Sequence, residues 1–327
     1  MIIPPVYRLT SEITKLLSSI EGSREVIDAI TIPPEIENNI RRKSTLKSSL
    51  FSARIEGNPL TMDELAKSSE TQKKLEVMNI LKALSYIRQR GARDITNAEI
   101  LEIHKISMKG LVDSDNWGKY RNNMEAIFNE AGIAIFMPPP PKQVPSYINK
   151  LIKYIKSSKE KFIPIKASLA HYSFEKIHPF LDGSGRVGRL VMQKILIQGG
   201  YGLKGLLALE EYIDNHRSEY YRMLEEPEKD ATDYLVFMLT AIDETAKEAK
   251  KLVTQKQEAD VTDYLLPRRA EIYNIIKDHK LVQFDQIKRR FVKVNPRTLR
   301  YDLKKLQDQG LVRKRGTTRG VYYEFIK

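Results

Sequence analysis

The chain has 327 residues and a net charge of +13, and 41% of its residues are hydrophobic and 30% charged. This composition excludes a mainly disordered or collagen-like chain, and because there is no cysteine it also excludes disulfide frameworks, thiolate zinc sites and cysteine nucleophiles. No apolar run reaches the roughly 20 residues that a membrane span needs, and the first residues lack a signal-peptide pattern, so we expect a cytoplasmic protein without a membrane partner.

The N-terminal region, residues 1–95, is predicted to be helical. Apolar residues recur at helical spacing over 11–20, 24–30 and 35–55, and the last of these helices is expected to end at Gly57, because glycine followed by proline is typical of a helix end. Thr61 and Glu64 have the spacing of a capping box and predict the start of another helix. A further helical pattern covers 78–90.

Residues 96–250 are predicted to form a second, mostly helical region. The helical rhythm breaks between Trp117 and Met137, where Ile133, Ile135 and Met137 alternate, so we expect a short β-hairpin there. The remaining helices are expected at 145–156, 165–177, 186–198, 216–224 and 230–256. Residues 251–266 would then connect this region to the C-terminal one.

Residues 267–327 carry nearly all the excess positive charge. They contain 17 Lys and Arg against 6 Asp and Glu, a net charge of +11, while the rest of the chain has a net charge of only +2. Three predicted helices, at 267–277, 284–290 and 296–309, precede an alternating segment with a glycine-bounded turn, which is typical of a β-hairpin. This order of elements resembles the winged helix-turn-helix family.

The winged-helix resemblance implies DNA as a partner of this region. Arg297, Arg300 and Lys304 on the third helix would enter the major groove, and Arg315 in the hairpin would contact a phosphate backbone or the minor groove. Winged helices also serve as protein–protein modules, so that alternative stays open.

The segment from His178 to Arg189, His-Pro-Phe-Leu-Asp-Gly-Ser-Gly-Arg-Val-Gly-Arg, is the part of the sequence most suggestive of chemistry. A proline ends one helix after His178, and two glycines precede the next helix, whose N-terminal N–H groups and dipole favour an anion. Asp182 offers an oxygen ligand of the kind that Mg²⁺ prefers, and His178 titrates near neutrality, as a general base should. The spacing predicts a phosphate site with Arg186 and Arg189 on one helix face.

This segment resembles the signature of the Fic family (the Fic/Doc superfamily), which has an asparagine where this chain has Ser184. Trp117-Gly-Lys-Tyr-Arg121 and the prolines after Met137 also resemble the family's flap region. The resemblance implies a mostly α protein: a Fic-fold helical bundle with a short β-hairpin flap, joined to the C-terminal winged helix domain. It also implies transfer of AMP from ATP, with Mg²⁺, to a Ser, Thr or Tyr hydroxyl of a target protein.

The resemblance also assigns roles to individual residues. His178 would deprotonate the target hydroxyl, Asp182 would hold Mg²⁺, and the stretch Ile135, Phe136 and Met137 would align a target strand. The residues expected to contact ATP are Gly183, Ser184, Gly185, Arg186, Arg189, Tyr220 and Tyr221. A serine at position 184 offers one donor on a shorter arm than asparagine, which weakens the expected contact with the α-phosphate. Tyr220 and Tyr221 read equally well as an aromatic core pair.

Ser52 and Glu56 resemble the family's inhibitory motif. They are four residues apart and share one helix face, and Gly57 would leave Glu56 at the helix tip. The carboxylate would form a two-pronged pair with Arg189 and keep it from the γ-phosphate. Glu56 could also orient a water that removes AMP from a modified target. Three functions therefore remain: a self-inhibited adenylyltransferase, a protein-AMP hydrolase, and a DNA-binding regulator whose Fic core senses nucleotide. A homodimer is also expected from the resemblance.

Overall fold

A computed structural model describes residues 1–32, 34–67, 71–91, 93–128, 134–225, 230–255, 265–292, 294–316 and 321–326. The chain divides into two compact units. The first comprises Met1–Thr31 and Ile40–Thr254, and the second comprises Ile32–Asn39 and Gln255–Lys327. None of the helices in these described ranges is both long enough and apolar enough to cross a membrane.

Of the N-terminal helices, the first and the fourth begin at polar N-caps, Thr10 and Thr71, and end at the extended Ile30 and at Gly91. The N-terminal helices are α1 (Ser11–Ala29), α2 (Pro34–Ile55), α3 (Met62–Lys67) and α4 (Gln72–Arg90). At α3 the predicted capping box is present, since the Glu64 N–H donates to Thr61 Oγ1 and the Thr61 N–H donates to Glu64 Oε2. The predicted helices at 11–20 and 24–30 are one helix, because Gly22 lies inside α1 without interrupting it.

The central elements place the segment 178–189 between two packed helices. They are α5 (Asn97–Met108), the 3₁₀ turns η1 (Ser114–Asn116) and η2 (Pro141–Gln143), β1 (Ile127–Phe128), β2 (Ala134–Phe136), α6 (Val144–Lys156), α7 (Ile163–Ile177) and α8 (Ser184–Gln198). β1 and β2 pair antiparallel with Ile127 opposite Phe136, so the predicted hairpin is present. Ile133, part of the predicted alternation, lies outside the described residues.

Helices α7 and α8 form the centre of the first unit. Nearly every residue of both helices is buried, and they pack against each other around residues such as Phe174, Phe180 and Val191. The unit is completed by η3 (Leu203–Gly205), α9 (Leu209–Asn215), α10 (Arg217–Glu225) and α11 (Thr232–Thr254). The sequence pattern did not predict α9. Helices α1 and α11 pack along each other, as two long amphipathic helices do.

The described residues of the second unit form the first turn of α2, three further helices and a three-stranded antiparallel sheet. The further elements are α12 (Pro267–His279), β3 (Leu281–Gln283), α13 (Phe284–Arg290), α14 (Pro296–Asp308), β4 (Val312–Arg315) and β5 (Tyr322–Phe325). The strand order is β3-β5-β4, so the predicted hairpin of β4 and β5 gains a third strand that is too short to be read from periodicity. A separate core includes Ile272, Leu299 and Leu303. The turn at 317–320 lies outside the described residues.

Candidate active site

His178 lies where α7 ends and adopts a left-handed conformation with φ 45° and ψ 65°. The following proline excludes the helical state at this position, so the chain turns and the imidazole leaves the helix axis. Burial lowers the pKa of His178 to about 4, although the nearby Glu56 carboxylate acts in the opposite direction. The ring is therefore neutral at neutral pH and able to accept a proton.

The buried side chain of Arg121 holds this turn. Its Nε donates to the His178 carbonyl at 2.8 Å, and its Nη2 donates to the carbonyl of Pro139. The backbone N–H of Arg121 donates to Pro179 O at 2.9 Å. One guanidinium thus fixes a left-handed backbone position that a non-glycine residue adopts only at a cost.

His104 on α5 holds the next residues of the loop. Its ring stacks on Phe180 with centroids 3.8 Å apart, and its Nδ1 accepts from the Gly118 N–H at 3.0 Å. The proton therefore sits on Nε2, which donates to Asp182 O at 3.0 Å. Burial lowers the pKa of His104 to about 4, so this tautomer persists at neutral pH.

Ser184, the departure from the Fic signature, braces the loop from within. Its hydroxyl accepts from the Phe180 N–H at 3.0 Å and donates to Phe180 O at 3.1 Å. Ser184 is 1% exposed, so both roles of this hydroxyl are used inside the loop. A direct phosphate contact by this side chain, which was the prediction, would break that brace.

The N-terminus of α8 is built to receive an anion. Its N-cap Gly183 has φ 85° and no side chain that could satisfy the first N–H groups of the helix. A Cβ on Gly183 would lie 2.5 Å from Met108 Sδ, so the close packing of α5 also requires glycine there. A Cβ on Gly185 would lie 2.6 Å from Glu56 Oε1, which places the Glu56 carboxylate against the first turn of α8.

The two signature arginines have different partners. Arg186 pairs with Asp182 and with Glu76 of α4, and its side chain is 7% exposed. The carboxylate of Asp182 remains 54% exposed, so it is open to further ligands. Arg189 is 1% exposed and lies one turn further into α8.

Arg189 binds both residues of the predicted inhibitory motif. Its Nη2 donates to Glu56 Oε1 at 2.8 Å and to Ser52 O at 2.9 Å, and its Nε donates to Ser52 Oγ at 3.1 Å. The expectation of a two-pronged pair with Glu56 is wrong in this detail, because Ser52 takes the other donor. Burial by itself would raise the pKa of Glu56, but the charges of Arg189 and Arg186 outweigh it and hold that pKa below its ordinary value.

Tyr220 and Tyr221 occupy different environments. Tyr220 is 1% exposed and its hydroxyl hydrogen-bonds His171 Nε2 at 2.9 Å, so it belongs to the core, as the alternative interpretation held. Tyr221 is 37% exposed and donates to Ile55 O at 3.1 Å. Of the pair, Tyr221 is the one whose ring faces the surface near the end of α2.

The hairpin residues lie beside α7. Lys176 places its ammonium 4.5 Å from the centroid of the Phe136 ring, and Met137 is 64% exposed. Ile135 is in β2, and its side chain lies outside the described part of the structure. Of the predicted flap residues, Met137 is therefore exposed and lies directly after β2.

In the second unit, the residues predicted to bind DNA are exposed. Arg297, Arg300 and Lys304 lie on the face of α14 opposite its buried leucines. The guanidinium of Arg300 lies 4.6 Å from the centroid of the Phe284 ring, and Arg315 pairs with Glu324 at 2.7 Å. The Arg315 charge is thus partly neutralised, whereas the α14 residues present a basic face.

A resident metal site of several side chains is not evident. Among the described residues, no three or more His, Asp or Glu side chains come close enough to hold a metal ion. Asp182 alone fits Mg²⁺ as it is usually bound with nucleotides, through one carboxylate together with substrate phosphates, because its carboxylate is 54% exposed beside the α8 N-terminus.

Comparison with known proteins agrees with this geometry. Residues 94–196 match the model of the Fic/DOC family. These residues are similar to a Fic domain. The match includes α5, the hairpin, α7 and most of α8, so His178, Asp182 and both signature arginines lie inside the matched region.

The chain is also similar to individual Fic proteins. It is 30% identical to the probable protein adenylyltransferase aq_aa38 of Aquifex aeolicus over 177 residues, which cover 52% of this chain and 53% of that relative. It is 27% identical to protein adenylyltransferase Fic of Drosophila melanogaster over 57% of this chain. The alignments span about half of the first relative and 39% of the second.

Solved structures share the fold over a longer stretch. A Fic family protein from Desulfovibrio desulfuricans G20 aligns with a TM-score of 0.68 and 24% identity over 98% of both chains. Fic-1 from C. elegans aligns with a TM-score of 0.59 and 18% identity over 74% of this chain and 71% of that one. At these identities the likeness establishes the fold, and the predicted mostly helical Fic fold is confirmed.

Sequence reasoning missed the residues that hold the candidate site in place. Neither His104 nor Glu76 was predicted from the sequence to belong to the site. Arg121 was noted only as part of a flap-like segment, without its contact to His178. No pattern within the sequence distinguishes these residues, because each acts through a partner more than 50 positions away.

Proposed function

We propose that this chain transfers AMP from ATP to a hydroxyl group of a target protein and that Glu56 restrains the reaction. The main support is the convergence of a neutral His178, a half-exposed Asp182 and an uncapped α8 N-terminus within one loop. The names of the relatives from Aquifex aeolicus and Drosophila melanogaster, both protein adenylyltransferases, support the same reaction.

The chain's own residues would divide the work as follows. His178 accepts the proton of the target hydroxyl, whose oxygen attacks the α-phosphorus of ATP, and the bond to the β-phosphate breaks so that pyrophosphate leaves. The free N–H groups after Gly183 and the guanidinium of Arg186 stabilise negative charge on the phosphates. Asp182 would hold Mg²⁺, which when bound supplies positive charge to the phosphates.

Restraint by Glu56 follows from where its carboxylate lies. It pairs with Arg189 at 2.8 Å and lies against Gly185 in the first turn of α8. A carboxylate at a helix N-terminus is itself an anion bound at an anion site. A γ-phosphate would compete with it for both Arg189 and the helix end, so removing Glu56 should open the productive nucleotide pose.

The test is incubation with labelled ATP, Mg²⁺ and a cell extract containing candidate targets. Glu56→Gly should increase protein labelling at least tenfold over wild type, and Glu56→Gly with His178→Ala should abolish it. Glu76→Gln serves as the control, because it removes a carboxylate that pairs with Arg186 and leaves the Glu56 pair intact. Absence of label in the Glu56→Gly variant refutes a transferase, while release of AMP from a premodified target that depends on Glu56 indicates the hydrolase.

A second function is favoured by the exposed basic face of α14. Arg297, Arg300 and Lys304 project from one side of a helix whose N-cap Asn295 accepts from the Arg297 N–H at 2.9 Å. Such a face binds DNA phosphates with an affinity that falls steeply with salt. Arg297→Ala should weaken duplex binding and lower the salt slope by about one, whereas Arg222→Ala, an exposed arginine of the first unit, should change neither.

A further inference from the structure

Glu175 is a buried carboxyl group that the proposed reaction leaves without a role. It lies on α7 three residues before His178, and its side chain is 10% exposed. Its Oε1 atom is buried and has no hydrogen-bond partner among the described residues. An unsatisfied carboxylate of this kind is costly unless the group is neutral or a partner can reach it.

Glu175 and the Arg189 guanidinium lie along the same face of α8, because a Cβ on Gly185, one turn before Gly188, would stand 3.3 Å from Arg189 Nη1. A Cβ on Gly188, the residue before Arg189, would stand 2.2 Å from Glu175 Oε1, so a side chain larger than glycine at 188 would displace the carboxyl. His171 Nδ1 lies 3.6 Å from the same oxygen and is also without a hydrogen-bond partner in the described part of the chain. The other ring nitrogen of His171 bonds the Tyr220 hydroxyl.

Among the described residues, the charged and titratable groups that interact electrostatically with Glu175 belong to five elements. They are His171 on its own helix α7, Arg189 on α8, Glu56 at the end of α2, Tyr220 on α10 and Tyr234 on α11. Burial raises the pKa of Glu175 to about 8, and the charge of Glu56 adds to the increase while Arg189 opposes it. Burial also lowers the pKa of His171 to about 3, so that histidine is neutral and Arg189 is the cation of the group.

We propose that Glu175 is a proton-exchanging counter-ion of Arg189, neutral while Glu56 is bound to that arginine and charged once Glu56 has left. With Glu56 in place, Arg189 already has one carboxylate, and a second charge nearby would be repelled. When Glu56 leaves, the buried Arg189 guanidinium has lost its anionic partner. An ionised Glu175 then neutralises the charge of Arg189. This role rests on the proposed function, in which Arg189 passes between Glu56 and the γ-phosphate.

The sign of the linkage follows from the proton count. The state with Glu56 bound keeps the proton on Glu175, and the released state loses it. Raising the pH towards about 8 therefore favours release of Glu56, and above that pH the dependence ends because Glu175 is ionised in both states. Binding of a γ-phosphate at Arg189 would restore the proton, because it again places negative charge beside Glu175.

The direct test is an NMR titration of the full chain with ¹³C-labelled glutamate carboxyls, with the Glu175 signal assigned by Glu175→Gln. In Glu56→Gln, which removes the charge and keeps the size, the pKa of Glu175 should fall by at least one unit, a tenfold loss of proton affinity. In Glu76→Gln, which removes a carboxylate that pairs with Arg186 instead, it should stay at the wild-type value. An unchanged Glu175 pKa in Glu56→Gln overturns the proposal.

A second measurement does not depend on the NMR assignment. Labelling by wild type relative to Glu56→Gly should increase as the pH rises to about 8 and level off above it, and Glu175→Gln should make this ratio independent of pH. A merely structural role would lower labelling at all pH values and leave the slope intact, which contradicts the proposal. If Glu56→Gly gives no label at any pH, the transferase proposal fails, while the titration still decides the role of Glu175.

Discussion

At the scale of the residue, Arg189 shows how a buried cation can be shared between partners. Its guanidinium is divided among the Ser52 hydroxyl, the Ser52 carbonyl and the Glu56 carboxylate. Charged hydrogen bonds of this kind contribute about 1.5–3 kcal/mol each, which is enough to hold Glu56 and small enough for a phosphate to replace. In the proposed restraint, Ser52 would therefore contribute to how tightly Arg189 holds Glu56.

Replacing Ser52 tests that contribution. Ser52→Ala removes the acceptor for Arg189 Nε and should weaken the Glu56-bound state by about 1 kcal/mol, which corresponds to roughly fivefold more labelling from ATP. The control is Ser49→Ala on the same helix, whose buried hydroxyl donates to Thr45 O within α2. Equal labelling by the two variants would contradict a special role for Ser52.

His178 gives a pH prediction at the same scale. Because burial lowers its pKa to about 4, the imidazole is unprotonated at neutral pH and becomes protonated only as the pH falls through about 4. The labelling rate of Glu56→Gly at saturating ATP should therefore show no acid limb near 6.5, the ordinary pKa of histidine. A limb at that pH in the pH–rate profile would mean that His178 is solvated in the active state.

At the scale of the element, hydrogen bonds from three side chains hold the loop between α7 and α8. Arg121 donates to the His178 carbonyl, and His104 on α5 donates to the Asp182 carbonyl. The Ser184 hydroxyl, at the start of α8, donates to the Phe180 carbonyl. The loop thereby fixes the direction of the α8 N-terminus. Glycine is required at position 183 for two reasons, the positive φ and the close approach of Met108.

Two glycine variants separate those requirements. Gly57→Ala imposes a positive φ of 94° in open space, so it should cost about 1–2 kcal/mol for backbone strain alone. Gly183→Ala has a similar φ and in addition brings Cβ to 2.5 Å from Met108 Sδ, so it should cost about 1–3 kcal/mol more. Melting curves followed by circular dichroism compare the two, and a smaller shift for Gly183→Ala would refute the packing argument.

At the scale of the whole molecule, the described residues form two hydrophobic cores. One gathers residues from α1 to α11, and the other gathers Ile272, Leu299, Leu303 and their neighbours. In the second unit, buried Asp302 is paired with Arg268 at 2.6 Å and Arg269 at 2.9 Å, which orients α14 against α12. Because the cores are separate, a substitution that destabilises one unit should leave the activity of the other unit unchanged.

Leu303 and Leu196 provide matched variants, since both are 0% exposed. Leu303→Ala should destabilise the second unit by about 2–5 kcal/mol and leave ATP labelling by Glu56→Gly unchanged. Leu196→Ala on α8 should cost a similar amount in the first unit and reduce labelling. Calorimetry with parallel labelling checks both, and loss of labelling in Leu303→Ala would show that the second unit supports catalysis.

The sequence alone predicted most of the helices, the loop with its glycines and the chemical character of His178, Asp182, Arg186 and Arg189, because local spacing and turn chemistry decide these features. It also located the excess positive charge in residues 267–327. Only the tertiary structure decided that Arg121 and His104 hold the loop, that Tyr220 is buried and that Glu175 lies against Gly188 of α8. Those facts depend on burial and on partners far apart in the chain, which periodicity does not report.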